Sequence, residues 1–360
     1  LAVFVVGAIC FTAGAALTHW SGARPSMATL SATAQPKRGD APLLWVFVVL
    51  LLAGLPVFIE EVRQFTSAAL FSPAFFIQVR QGMLDQAARV NQAPFVDNLV
   101  VLSSIFALVG YALTDGARRQ GVVTWGLIGL ALVYNLLTAA KAGAVSLVVA
   151  LFAIHVLLRG RLPVRLLLAS FGAILILFGV VAVSRLGSSG ESLTFAQSAQ
   201  VAWHGFIGYF SASPVGVSID LEHPSLVPPI SGPCRFFERT ANYFGDYFDV
   251  PDLAAQFVDM GPGMSYNTYT AYFSYYPAYG IGGVIGFMFG LGSACTWVYR
   301  RALSLTLVWV LVYGTLLHGI LMTIFNENFR LSLNFTLKLI AVPLLVIGLR
   351  RLRWRYREGC

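Results

Sequence analysis

The sequence predicts an all-α, polytopic transmembrane bundle that carries one large extramembrane loop. Composition, run length and charge placement each point there. Of the 360 residues 57% are apolar and 11% charged, whereas about a quarter of a soluble domain is charged. The apolar residues fall in runs of about 20, the length a helix needs to span a bilayer. Most of the 24 lysines and arginines lie in short connections that alternate along the chain. Spans that are apolar all round must be helices, because hydrocarbon cannot satisfy an open sheet edge.

Nine runs read as spans: 1–18, 42–58, 98–114, 121–138, 142–158, 163–184, 279–299, 303–325 and 331–349. Leu1 falls inside an apolar run, so earlier spans are expected ahead of it. A cleaved signal sequence is the alternative for the first run, but no basic stretch precedes it. Residues 21–41 are rich in Ser, Ala and Pro and read as a flexible connection. Within the 59–97 loop, Phe76, Ile77, Val79, Met83, Leu84, Ala87 and Ala88 have the spacing of an amphipathic helix. Such a helix either lies on the membrane, with Arg80 and Arg89 at headgroup level, or simply joins two spans.

Charge sets the sidedness. One set of connections holds Arg24, Lys37 and Arg38; Arg118 and Arg119; Arg159, Arg161 and Arg165; Arg300 and Arg301; and the tail from Arg350 to Arg357. Only Asp40, Asp115 and Glu358 are acidic there. The basic side is cytoplasmic by the positive-inside rule. The net charge of +8 therefore reflects juxtamembrane clusters facing membrane lipids, and no nucleic-acid partner is expected. The 59–97 loop, the turn at Lys141, the 326–330 turn and the long 185–277 segment then face outward. The chain divides into helices 1–6 with their outer loop (1–184), the large outer loop (185–277), and three helices with a basic tail (278–360).

Cys10 and Cys295 lie in spans, Cys234 in the large loop and Cys360 at the end, which makes neither a disulfide framework nor a metal site. No phosphate-loop or dinucleotide fingerprint occurs, so no cofactor is expected. The outer face has no ATP supply, so any reaction there must draw on an activated substrate.

The large loop is read in pieces. SLTFAQSAQVAWHGFIGYF suits an amphipathic helix, and the proline-rich 213–233 stretch breaks helix. CRFFERTANYFGDYF sets aromatics beside charges, DVPDLAAQFVDM suits a short helix, and GPGMSYNTYT leads into the seventh span. Abundant Tyr and Trp serve either an interfacial position or the stacking of sugar rings.

Arg235 and Arg239 are four apart and share a helical face, with Glu238 beside it. Guanidinium groups hold phosphate oxygens bidentately and keep their charge. With Arg185 at the exit of the sixth span, they suit a lipid diphosphate. The plainer alternative is surface pairing with Glu238, Asp246 and Asp249, which is worth little. His204, among apolar residues, is either a satisfied buried ring or a general base. His318 and Lys338 are ionisable residues inside spans, where they face a cavity or a partner. Lys141, Arg330 and Lys338 are expected to line a positive vestibule, unless Lys141 only snorkels to headgroups.

Asn267-Thr268-Tyr269-Thr270, the aromatic YFSYYPAYG, and then Gly282-Gly283 and Gly290 in the following span resemble the bacterial oligosaccharide repeat-unit polymerases of the O-antigen polymerase group. Lys141-Ala142-Gly143 matches a small-residue turn that usually carries Arg in that family. Ala278 stands where the family has an acidic residue, so no catalytic acid is assigned there. The resemblance implies a GT-C-like membrane glycosyltransferase needing neither metal nor nucleotide sugar. Its partners would be undecaprenyl-diphosphate-linked oligosaccharides and a chain-length regulator protein. A sugar hydroxyl of one repeat unit would attack the anomeric carbon of another chain and expel undecaprenyl diphosphate. Arg235, Arg239 and Arg185 would stabilise the leaving diphosphate. His204 or Glu238 would take the hydroxyl proton, while Tyr266, Asn267 and Tyr269 position sugar. Lys141 and Arg330, with His318 and Lys338 nearby, would hold the second diphosphate. A glycan ligase shares this layout, and a lipid-linked sugar transporter or flippase is the non-enzyme alternative. Transporters often carry internal repeats, which the two halves of this chain lack.

Overall fold

A computed structural model describes residues 2–21, 41–70, 72–89, 95–114, 118–138, 141–160, 271–324 and 333–358. It also describes the two short strands and scattered positions between 164 and 218. Nine α-helices account for nearly all of them: α1 (Ala2–Ser21), α2 (Ala41–Arg63), α3 (Pro73–Arg89), α4 (Phe95–Leu113), α5 (Arg118–Leu137), α6 (Lys141–Arg159), α7 (Tyr276–Ala302), α8 (Leu307–Leu321) and α9 (Leu333–Glu358). Single turns of 3₁₀ helix precede α7 (Ala271–Ser274) and follow α8 (Met322–Ile324). The predicted helical architecture stands.

By length and apolarity 3 of the described helices can cross a membrane: Ala2–Ser21, Pro42–Arg63 and Tyr279–Ala302. The apolar parts of α4, α5, α6, α8 and α9 coincide with predicted spans but are shorter. The predicted span at 163–184 lies almost wholly outside the described residues. One expectation fails in the large loop. The last residues of the predicted helix DVPDLAAQFVDM are extended instead: β1 (Val258–Asp259) pairs antiparallel with β2 (Ser265–Tyr266). The intervening sequence carries Gly261-Pro262-Gly263, a combination that favours chain reversal over helix.

Contacts between helices show an alternating up-and-down path. Thr114 Oγ1 lies 2.9 Å from Thr124 Oγ1, joining the end of α4 to the start of α5. Phe47 of α2 stacks on Phe106 of α4 with centroids 4.2 Å apart, and Tyr134 of α5 donates to the Leu51 carbonyl of α2 at 2.6 Å. Tyr111 meets His155 Nδ1 at 2.5 Å, placing the ends of α4 and α6 together. Trp297 meets Trp309 edge-on across the α7–α8 hairpin. Arg300 of α7 donates to the Thr18 carbonyl of α1 at 2.9 Å, so those two helices run parallel.

Two ends of the bundle emerge. The first, the basic end, holds the ends of α1, α4, α6 and α7 and the starts of α2, α5 and α8. Arg159, Arg300 and Arg301, read as topogenic from sequence, lie there. Trp20, Trp45, Trp125, Trp297 and Trp309 lie at this end too, and the first four are 80%, 56%, 61% and 46% exposed. Tryptophan at one level suits the interface between headgroups and hydrocarbon.

Lipid tails are as apolar as leucine, so helices in a membrane associate by close packing and hydrogen bonds rather than by hydrophobic drive. The α1–α7 pair follows that rule. A Cβ on Gly14 would meet the Phe289 carbonyl oxygen at 2.1 Å, and one on Gly292 would meet the Phe11 oxygen at 2.0 Å. Ser293 adds a hydrogen bond to the Gly14 carbonyl at 3.1 Å. Entry to α7 is bent at Gly280, whose φ of 58° and ψ of −153° suit glycine alone.

The amphipathic helix expected in the 59–97 loop is α3, and part of its apolar stripe is covered by protein. Phe75, Val79 and Met83, four residues apart, are buried in the main core. Thr66 donates to Gln78 Oε1 at 2.5 Å, pinning α3 to the end of α2. The side chains of Arg80 and Arg89 lie outside the described residues.

Candidate functional site

Polar side chains inside apolar helices are costly and keep their place only with partners or a task. In this bundle several of them gather at the end opposite the basic one. There α5 turns into α6, α9 begins beside the start of α4, and the 3₁₀ turns around α7 and α8 meet.

Asn135, 1% exposed, is the best-defined element. Its Nδ2 donates to the Ala131 carbonyl at 2.7 Å and to Ser104 Oγ at 3.2 Å, tying α5 to α4. Its Oδ1 is buried without a hydrogen-bond partner among the described residues. That oxygen faces Gly143 so closely that a Cβ there would lie 1.9 Å from it. Thr138 closes the end of α5 by donating to the Asn135 carbonyl at 2.9 Å. The end of α5 and the first turn of α6 are therefore in close contact, and Lys141 stands as the first residue of α6. No acidic residue occupies that first turn. The free N–H groups and partial positive charge of a helix start add to the lysine, making a position that favours anions.

On α9, Lys338 donates to Asn98 Oδ1 of α4. A cation two turns into an apolar helix is thus met by an amide dipole from another span. On α8, His318 is 9% exposed and its Nε2 has no hydrogen-bond partner among the described residues. Leaving such a group unsatisfied costs roughly 1–3 kcal/mol. One turn earlier Gly314 lets α8 settle on Ala150 and Ile154 of α6, so His318 follows on the α6-facing side, one turn nearer this end.

The Ala271–Ser274 turn lies at this same end. Tyr272 is buried and packs edge-on to Phe4 at 4.9 Å; burial pushes its phenol pKa up. Tyr275 stacks on Phe287 with centroids 3.7 Å apart. The Ala271–Ser274 turn touches the Met322–Ile324 turn, so it lies beside the end of α8 that carries His318.

Of the residues singled out from sequence, Lys141, His318 and Lys338 are brought to one end of the bundle. Tyr266 sits in β2, paired with Val258. Arg185, His204, Arg235, Glu238, Arg239, Asn267, Tyr269 and Arg330 lie outside the described residues. Asn98 and Ser104 belong to the site but were not picked out from sequence. The available signal was an amide and a hydroxyl inside the apolar run of the third predicted span.

A separate groove runs along α1 toward the basic end, lined by Ala8, Ile9, Ala13, Leu17, Trp20 and Phe289. Its walls are almost wholly apolar and it carries no chemistry, so the polar end is the better candidate. Comparison with family models, with curated proteins and with solved structures returns no match.

Proposed function

We propose that this chain polymerises undecaprenyl-diphosphate-linked oligosaccharide repeat units into a surface polysaccharide, an O-antigen or exopolysaccharide. It does so in the bacterial cytoplasmic membrane, with its site on the periplasmic side. The nine predicted spans cross the bilayer and the 185–277 segment stands outside. One observation carries the reading: Lys141, Lys338 and His318 belong to the end of the bundle that also holds the Ala271–Ser274 turn, part of the polymerase-like sequence. An anion-favouring site at the membrane surface suits a lipid diphosphate, which is itself the activated group and needs neither nucleotide nor metal.

In this mechanism Lys141, Lys338 and Arg330 hold one diphosphate. Arg235, Arg239 and Arg185 stabilise the charge that develops on the other as it leaves. A hydroxyl of the acceptor sugar attacks the anomeric carbon and gives its proton to His204 or Glu238. Tyr266, Asn267 and Tyr269 orient the sugar rings. Undecaprenyl diphosphate departs with the bonding electron pair.

The test is the length distribution of surface glycan in cells producing Arg235→Ala or Arg239→Ala protein at normal levels. Removing one preorganised charge from a leaving group slows transfer by about a hundredfold or more, so long chains give way to single capped units. Unchanged long chains in both variants would remove the arginine pair from the reaction. Purified chain that releases no undecaprenyl diphosphate from lipid-linked units would overturn the enzyme reading itself.

A further inference from the structure

At the basic end, the turn between α7 and α8 gathers groups that glycan transfer does not use. Arg301, in the last turn of α7, is exposed, and its guanidinium carbon stands 5.4 Å from the centroid of the Trp297 ring. Trp309 of α8 meets Trp297 edge-on at 5.0 Å. The neighbouring Arg300 is engaged on the Thr18 carbonyl, whereas the Arg301 guanidinium has no hydrogen bond or ion pair among the described residues. The turn closes on Leu305 at a φ of 52°. It leaves the exposed hydroxyls of Ser304 and Thr306 3.4 Å apart. Ser304 also donates to the Arg301 carbonyl at 2.7 Å, so Thr306 is the hydroxyl with a proton to offer.

The tryptophans of α1, α2, α5, α7 and α8 mark this level as the headgroup boundary. A guanidinium held on an indole face there remains able to bind phosphate oxygens bidentately. We propose that the α7–α8 turn is a binding site for an anionic phospholipid. Arg301 and Thr306 donate to its phosphate, and its acyl chains run beside Trp297 and Phe289 on the outer face of α7. The positive-inside orientation puts this turn against the anionic cytoplasmic leaflet, which supplies such lipids. This inference rests on the membrane placement of the bundle and is independent of the glycan reading.

The experiment uses the full chain in nanodiscs containing phosphatidylglycerol or phosphatidylcholine brominated in the acyl chains, with tryptophan fluorescence as readout. Brominated phosphatidylglycerol quenches more strongly than brominated phosphatidylcholine at equal mole fraction, and Trp297→Phe lowers that excess. One basic residue near an anionic surface corresponds to about a fivefold preference, and Arg301→Gln removes it while Arg301→Lys keeps part. Equal quenching by the two lipids in the natural chain overturns the proposal, as does an undiminished excess in Arg301→Gln. A purely structural role for Arg301 as a cation at a helix end would lower melting temperature without changing lipid preference, which also overturns it. Should Arg301→Gln fail to fold, lipids retained by the natural chain in native mass spectrometry decide. Enrichment of phosphatidylglycerol over phosphatidylcholine supports the site, and equal retention sinks it.

Discussion

Gly143 and Asn135 show how one missing side chain sets the geometry of a site. With a Cβ only 1.9 Å from Asn135 Oδ1, Gly143→Ala forces the α5–α6 turn open. Overpacking of that kind costs roughly 1–3 kcal/mol, read as a lower melting temperature of the solubilised protein. Asn135→Ala in the Gly143→Ala background recovers part of the loss, because the two changes share one contact. An unaltered melting temperature in Gly143→Ala would show that the contact does not constrain the turn. At this scale the ionisable residues were legible from sequence: Lys141, His318 and Lys338 stand out because charge is rare in apolar runs. Their partners were not. Asn98, which receives the Lys338 hydrogen bond, lies 240 residues away in the chain, and nothing local in either segment announces the pairing.

Helices α1 and α7 show the same division at the scale of elements. Their apolar runs were plain in the sequence, and the Gly-rich character of α7 was visible too. Which glycines matter was not visible, because that depends on the face turned toward α1. Gly292 has the Phe11 carbonyl against it, whereas a Cβ on Gly290, two residues earlier, would meet nothing within 4 Å. Gly292→Val is therefore expected to lower melting temperature and expose α1 to protease, by about 1–3 kcal/mol of lost packing. Gly290→Val leaves both nearly unchanged. Equal effects from the two substitutions would mean that α1 does not seat on α7 as described. The β1–β2 pairing is the opposite case. Apolar spacing suggested helix up to Met260, but a short ladder engages Val258 and Asp259, and the Gly-Pro-Gly that follows is the local cue against helix.

For the molecule as a whole, charge and contacts lead independently to one arrangement. Alternating basic connections imply an up-and-down path from sequence alone. The contacts Thr114–Thr124, Tyr111–His155, Trp297–Trp309 and Arg300–Thr18 trace that path without using charge. Cysteine labelling checks it in a background stripped of Cys10, Cys234, Cys295 and Cys360. Ser67→Cys, exposed beyond α2, is expected to react with a membrane-impermeant maleimide from outside. Ser304→Cys, exposed in the α7–α8 turn, reacts only after the membrane is opened. Reaction of both from one side would contradict the alternation.

What the sequence determined by itself is local: that apolar runs become helices, and that lysine and arginine fall in alternate connections between them. In lipid a helix satisfies its own backbone hydrogen bonds and so exists before it meets a neighbour. Tertiary structure alone decided which helices touch, which glycines must stay bare, and that Lys141, His318, Lys338, Asn98 and Asn135 share one end. Those outcomes depend on van der Waals fit and hydrogen bonds between distant segments, and no periodicity within a single run encodes them.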